Sequence, residues 1–413
     1  MIRAVLLALL GLASLADQAL AQAVPVFSDT GPEAAAYGAA EGFPVGTKKD
    51  LGSQRTLVGA YSHFDALRAA RVIAAPATAS VLARAPRELS VSYSFQGQTQ
   101  TLRSYLERNP ATGLLILRGH TIGFEHYRYA RSDHDRFTSQ SMAKTIVAMT
   151  MGIAVQSGAI RSIDDPVSAY LPETANTEIG RTPLRALLTM SSGLRFHEVY
   201  DGHDDIMRLS RGLMRPDSEG PVAALAQFGG RAAPPGTAFN YSGLDTETLG
   251  LVIARATGMT LSDYVAAHIW GPIGAEAPAS WTVDANGHEV AYCCFNAVLR
   301  DWARLGALLA DDGAWDGRQV IPRQWLREAT TVQAPYLAPG VGGRGLGYGY
   351  QLWILPGDRH QFALRGIHGQ TILIDPATRT VLVHTAVRPM ATRNVGEAEL
   401  FALWNAVVAD AGS

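Results

Sequence analysis

Phe137-Thr-Ser-Gln-Ser-Met-Ala-Lys-Thr-Ile-Val-Ala-Met-Thr150 is the stretch from which the rest of the chain is read. Met142, Ile146, Met149 and Ile153 recur at three- and four-residue spacing, which is the period of a helix with one apolar face. Ser139 or Thr138 can cap its start and Gly158 can end it. Residues three apart share a helix face, so Lys144 is expected beside the hydroxyl of Ser141, at the positive end of the helix dipole. A serine hydroxyl is a weak nucleophile until a base takes its proton. A lysine serves as that base only when burial or a neighbouring cation keeps it neutral. Ser-x-x-Lys also arises by chance in ordinary helices, so its meaning depends on what surrounds it.

Upstream, Gly113-Leu-Leu-Ile-Leu-Arg-Gly-His120 and Thr121-Ile-Gly-Phe-Glu-His-Tyr127 predict a hairpin that leads into this helix. Downstream, helical patterns cover Pro183 to Met190, Leu244 to Thr257, Leu261 to Trp270, Leu299 to Asp311 and Pro322 to Thr331, with a short helix starting in Ile163 to Pro172. After Gly345 the pattern turns to strands over Tyr348–Ile354, Gly369–Asp375 and Thr380–Thr385, and Glu397 to Ala411 predicts a terminal helix. Strands first and last with helices between argue for an α+β body: an antiparallel sheet pairing the two chain ends, flanked by helices, with a mostly helical lobe inserted at about 145–335.

Met1-Ile-Arg3, the apolar run Ala4 to Leu15 and Ala19-Leu-Ala21 read as a secretory signal peptide over 1–21, which implies a periplasmic or secreted protein with no stable membrane insertion after cleavage. Residues 22–105 form an extension expected to pack on the main body, 106–413, with strand-like alternation at Leu57–Tyr61 and Leu89–Phe95. Lys+Arg 35 against Asp+Glu 37, with no long basic run, gives nucleic-acid binding no electrostatic support. The two cysteines, Cys293 and Cys294, are adjacent and read as two small buried side chains rather than a disulfide framework or a zinc site. The polar cluster from His197 to Asp205 matches no two-histidine metal site and reads as a solvated loop beside the active site; Gly340 to Gly345 lacks the ending of a phosphate loop and reads as flexible.

Several stretches in order resemble the serine β-lactamase and penicillin-binding-protein-like hydrolases. They are Ser141-Met-Ala-Lys144 after a hairpin, Ile163-Asp-Asp-Pro-Val-Ser-Ala-Tyr-Leu-Pro-Glu173, Leu187-Leu-Thr-Met-Ser-Ser-Gly-Leu194, Pro235-Gly-Thr-Ala-Phe-Asn-Tyr-Ser-Gly243, Arg300-Asp-Trp-Ala-Arg-Leu-Gly306 and Gly347-Tyr-Gly-Tyr-Gln-Leu-Trp353. Gly366-Ile-His-Gly-Gln370 looks most like the class C-like esterases and 6-aminohexanoate-dimer (nylon-oligomer) hydrolases. The resemblance implies a β-lactamase/transpeptidase-like fold and an acyl-enzyme formed on Ser141, with Lys144 and Tyr241 handling the proton. A phenol near an ammonium is expected to ionise more readily. The resemblance places the oxyanion donors at the N–H groups of Ser141 and Ile367, aligning Leu364-Arg-Gly366 with the lysine-threonine-glycine box. A second register would align His368-Gly369 instead. In the first register His368 stands near the site, Gly366 lets the substrate approach, and Tyr200 corresponds to a second tyrosine that contacts the substrate amide.

Two departures matter. Tyr241-Ser-Gly243 lacks the family's asparagine, and the lysine of the lysine-threonine-glycine box is absent in either register, so anchors for a β-lactam are missing. The expectation is a serine hydrolase of small esters or amides that needs no cofactor or metal. The rivals are a D-alanyl peptidase or β-lactamase, and a non-catalytic binding protein on the same scaffold. Specificity is expected in loops 196–220 and 335–347; the sequence is silent on the oligomeric state.

Overall fold

The computed structural model describes residues 23–392 and 396–412. The segment read as a signal peptide lies outside them. At the centre stands the hairpin of strands Ala111–Arg118 and Thr121–Tyr127. Ala111–Arg118 pairs antiparallel with Thr380–Ala386, so the two ends of the fold meet in mid-sheet, and Thr371–Asp375, Phe362–Arg365, Trp353–Ile354 and Gly347–Tyr348 continue outward. The rim beyond Thr121–Tyr127 is parallel: Val26–Phe27 and Ala83–Arg84 both pair with that strand. The sheet is therefore antiparallel at its centre and mixed at one edge.

Side chains alternate across a strand, and here both faces are covered, so Leu114-Leu-Ile-Leu117 is apolar throughout. Leu114 and Ile116 face the terminal helix Gly396–Ala411 with Leu403, Trp404 and Val407. Leu115 and Leu117 face the larger core that holds helices Ala143–Gln156 and Leu299–Ala310. Ala143 to Ala154 is entirely buried, which explains why this helix is apolar on nearly every side.

Five readings change. Leu57–Tyr61 lies in a helix, Gln54–Ser62; everything from Thr56 to Ser62 is buried, so the apparent alternation marked no exposed face. Prolines 166 and 172 confine the region after Ile163 to short 3-10 turns, Val167–Ala169 and Pro172–Thr174. Tyr348–Ile354 is two strands of a tight turn rather than one. The middle of the chain also holds strands: Ala279–Thr282 and Phe295–Ala297 join Ala70–Ile73 and Phe137–Thr138 in a second sheet. The 196–220 loop contains a helix, Asp205–Met214. Among the described residues, no helix is long and apolar enough to cross a membrane.

Candidate active site

Ser141 sits in a 3-10 turn, Gln140–Met142, that runs straight into the helix Ala143–Gln156. Neither expected cap is used. The Ser139 hydroxyl instead donates to the Gln140 carbonyl at 2.7 Å and accepts the Phe295 N–H at 3.0 Å, tying the turn to the second sheet. Gln140 takes a left-handed backbone (φ 44), an uncommon state for a residue with a side chain.

One helical turn on, Lys144 is buried. Its Nζ donates to Ser141 Oγ at 3.2 Å and to the Tyr292 carbonyl at 2.9 Å. Burial lowers its pKa to about 8, against the upward pull of the Glu198 and Glu247 charges. Lys144 Nζ stands 5.1 Å from the centre of the Tyr241 ring. That ring is held by Trp353, stacked at 5.7 Å, and Tyr348, edge-on at 6.3 Å. Tyr241 lies just before the helix Gly243–Thr257, whose first turn Ser242 caps. Burial, then the Glu198 charge, pushes the Tyr241 phenol well above its ordinary pKa, while its hydrogen bond with Ser141 pulls the other way. The expectation that this phenol ionises more readily is thereby corrected: burial and the Glu198 carboxylate favour the protonated form.

Tyr200, half-buried at a left-handed turn (φ 62), points at the same place. Its hydroxyl donates to Glu198 Oε1 at 2.6 Å, and its backbone N–H donates to Asp204 Oδ2 at 2.6 Å. Glu198 Oε2 accepts the Gly243 N–H at 2.6 Å. Glu198 thus links the loop to the helix that follows Tyr241, and sequence reasoning left it in the solvated cluster. The other acids of that cluster hold backbone: Asp205 accepts the His197 N–H and Asp201 the His203 N–H. Among the described residues, no three His, Cys, Asp or Glu side chains gather as a metal site.

The strand Phe362–Arg365 delivers Gly366 against the nucleophile turn. A Cβ at Gly366 would lie 2.5 Å from the Ser139 carbonyl and 3.1 Å from the Ser141 nitrogen, so only glycine lets the strand edge come this close. Ile367 follows at once and, with Ser141, lines both cavities described below. His368 (φ 60) lines one of the cavities beside Ser141: its Nδ1 meets the Arg388 carbonyl at 2.6 Å, its ring packs on Tyr61, and burial lowers its pKa. Arg365 ion-pairs with Glu397 and lies over Trp353.

The cysteine reading is corrected. Cys293 and Cys294 are bonded to each other. The backbone turns left-handed at Cys294 (φ 69), which lets neighbouring side chains meet. The Cys293 carbonyl accepts the Trp281 indole N–H at 2.9 Å and the Cys294 carbonyl accepts the Thr282 N–H at 3.1 Å. This braced turn follows directly on Tyr292, whose carbonyl holds Lys144.

Two cavities flank Ser141. One, of about 390 Å³, is lined by Tyr241, Trp353, Arg365 and Glu397. The other, of about 460 Å³, is lined by Glu198, Tyr292 and the two cysteines.

The beta-lactamase family profile matches residues 99–402. The chain belongs to the beta-lactamase family. It is accordingly an enzyme, a serine hydrolase of this fold. Among curated proteins, the 6-aminohexanoate-dimer hydrolase of Paenarthrobacter ureafaciens is 27% identical over 300 residues, 70% of this chain and 75% of that one. Among solved structures, a Bacillus anthracis protein named as a candidate 6-aminohexanoate-dimer hydrolase superposes with a TM-score of 0.75 at 24% identity, over 88% of this chain and 96% of that one. The Bacillus halodurans penicillin-binding protein shares the fold more distantly, with a TM-score of 0.56 at 17% identity over 73% and 96%.

Proposed function

We propose that this beta-lactamase-family enzyme cleaves a carboxylic amide or ester through an acyl-enzyme on Ser141. The observation that carries this reading is the buried Lys144 Nζ, 3.2 Å from Ser141 Oγ and depressed in pKa to about 8. About a tenth of such a lysine is neutral at pH 7, enough to accept the serine proton. Ser141 Oγ then attacks the carbonyl carbon, and the oxygen takes up negative charge beside the N–H groups of Ser141 and Ile367. The protonated Tyr241 gives its proton to the leaving nitrogen or oxygen and regains one from Lys144. Water then attacks the acyl carbon, Lys144 takes its proton, and that proton returns to Ser141 Oγ as the acyl–oxygen bond breaks and the acid leaves. Tyr200, which donates to Glu198 and lines both cavities beside Ser141, is assigned the contact with the substrate amide.

An unbranched aliphatic amide, the bond class of the relatives' substrate, is the leading amide to assay. A β-lactam or D-alanyl substrate is disfavoured: Gly243 and Leu364 stand where those enzymes carry asparagine and lysine. We also infer that the enzyme acts outside the cytoplasm, from the leader-like 1–21; N-terminal sequencing of the exported protein starting near Gln22 is the expected result. The functional test is a panel of 4-nitrophenyl esters, short amides and a fluorescent penicillin, each assayed with wild type and Ser141→Ala. Ester and amide turnover that disappears in Ser141→Ala is the expected outcome. Full turnover by Ser141→Ala, or stable labelling by the penicillin, contradicts it.

A further inference from the structure

The cavity that Tyr241 does not line is the more informative of the two. Its inner wall is apolar, built from Phe64, Ile206, Met214 and the cysteine pair, with Tyr61 beside His368. Its outer part carries Lys48, Lys49 and Arg68. Among the described residues, none of these three side chains has an ion-pair partner. Most arginines of this chain do have one: Arg55, Arg71, Arg136 and Arg300 each meet a carboxylate. Arg68 is half-buried and close enough to the Tyr292 phenol to act on it electrostatically. Among the described residues, the only carboxylate lining the cavity is Glu198, which is taken up by Tyr200 and the Gly243 N–H. The three cations all come from the segment before residue 99, outside the family match.

The assignment of sides rests on the proposed roles of Ser141 and Tyr241. A leaving group must reach its proton donor, and Tyr241 lines the other cavity, with Trp353 and Arg365. The acyl group then occupies the cavity walled by the cysteine pair. We infer that this cavity is an acyl subsite for an apolar chain ending in an anion, such as the distal carboxylate of a dicarboxylic acid half-amide or half-ester, held by Lys48, Lys49 and Arg68. The apolar wall takes the methylenes out of water. The unpaired cations supply the distal contact, and because two of them are exposed their contribution is modest and salt-sensitive.

The test compares mono-4-nitrophenyl suberate with 4-nitrophenyl octanoate, which share chain length and leaving group. The expected result is a kcat/KM advantage of about five- to tenfold for the suberate at low salt, shrinking as salt is raised. In Lys48→Ala/Lys49→Ala, whose changes are at exposed positions, and separately in Arg68→Ala, the ratio of the two substrates falls toward one. An ester bearing a distal ammonium, 4-nitrophenyl 8-aminooctanoate, reacts more slowly than the octanoate. A wild-type ratio of one or below, a ratio unmoved by the variants, or a preference for the ammonium ester overturns the inference. Hydrolysis of the octanoate that depends on Ser141 would stand in each of those outcomes, so the subsite can fail without the nucleophile failing. If no ester requires Ser141, the proposed reaction itself has failed.

Discussion

At the scale of single residues, Lys144 is the most consequential. Its neutral form is the base, so kcat/KM for an ester is expected to rise with pH up to a midpoint near 8 and then level off. Glu198 holds that midpoint up through its charge. Glu198→Gln removes the charge while keeping an acceptor for Tyr200, and is expected to move the midpoint lower on a pH–rate profile. Lys144→Met is expected to reduce kcat by roughly 10²- to 10⁴-fold. The same change is expected to raise stability. The folded pKa is below the unfolded one, so the penalty of burying the charge is full below about 8 and vanishes above the unfolded value. A gain of about 1 to 3 kcal/mol in urea unfolding at pH 7 follows, offset in part by the lost bond to Tyr292. An enzyme whose lysine variant lost both activity and stability would speak against the buried-base reading. Ser141 and Lys144 were legible because their spacing is fixed by helix geometry. Glu198 was not, because nothing in a polar run says which of its acids folds inward.

At the scale of elements, the site is made where the end of one strand meets the start of one helix. Gly366 is the contact point. Gly366→Ala sets a methyl group 2.5 Å from the Ser139 carbonyl and pushes the strand edge away. Loss of one oxyanion donor costs about 10²- to 10³-fold in kcat, and weaker binding of a boronic acid should accompany it. If affinity for the boronic acid held while kcat fell, the strand edge would not be the donor. The hairpin and the helix were readable from periodicity. The cysteine turn was not: pairing of adjacent cysteines depends on the left-handed backbone at Cys294, which the residue types do not announce. The helix Gln54–Ser62 was misread because a fully buried segment of mixed small and apolar residues shows no period.

At the scale of the whole molecule, one buried carboxylate ties three regions together. Glu125, on the central hairpin, is paired with Arg84 from the N-terminal segment at 2.7 Å and Arg300 from the inserted helices at 2.7 Å. Removing it takes one carboxylate from each arginine, while Arg300 keeps Asp133 and Glu276 and Arg84 keeps the Ala23 carbonyl, so Glu125→Ala is expected to cost about 1 to 3 kcal/mol, seen as a lower urea midpoint. An unchanged midpoint would mean that the N-terminal segment is held by other contacts. The general α+β plan, with both chain ends in one sheet, was visible in the order of strand and helix patterns. The second sheet was not, since its four strands are two to four residues long and come from three separated parts of the chain.

The central claim is that Ser141, activated by a lysine of lowered pKa, is the nucleophile. The most direct measurement is the pH dependence of labelling by a fluorophosphonate, with the modified peptide mapped by mass spectrometry. The account predicts one adduct, on Ser141, forming at a rate that climbs through a midpoint near pH 8 and absent from Ser141→Ala. An adduct on another residue, or labelling of Ser141 at a rate that does not rise through that range, would contradict it.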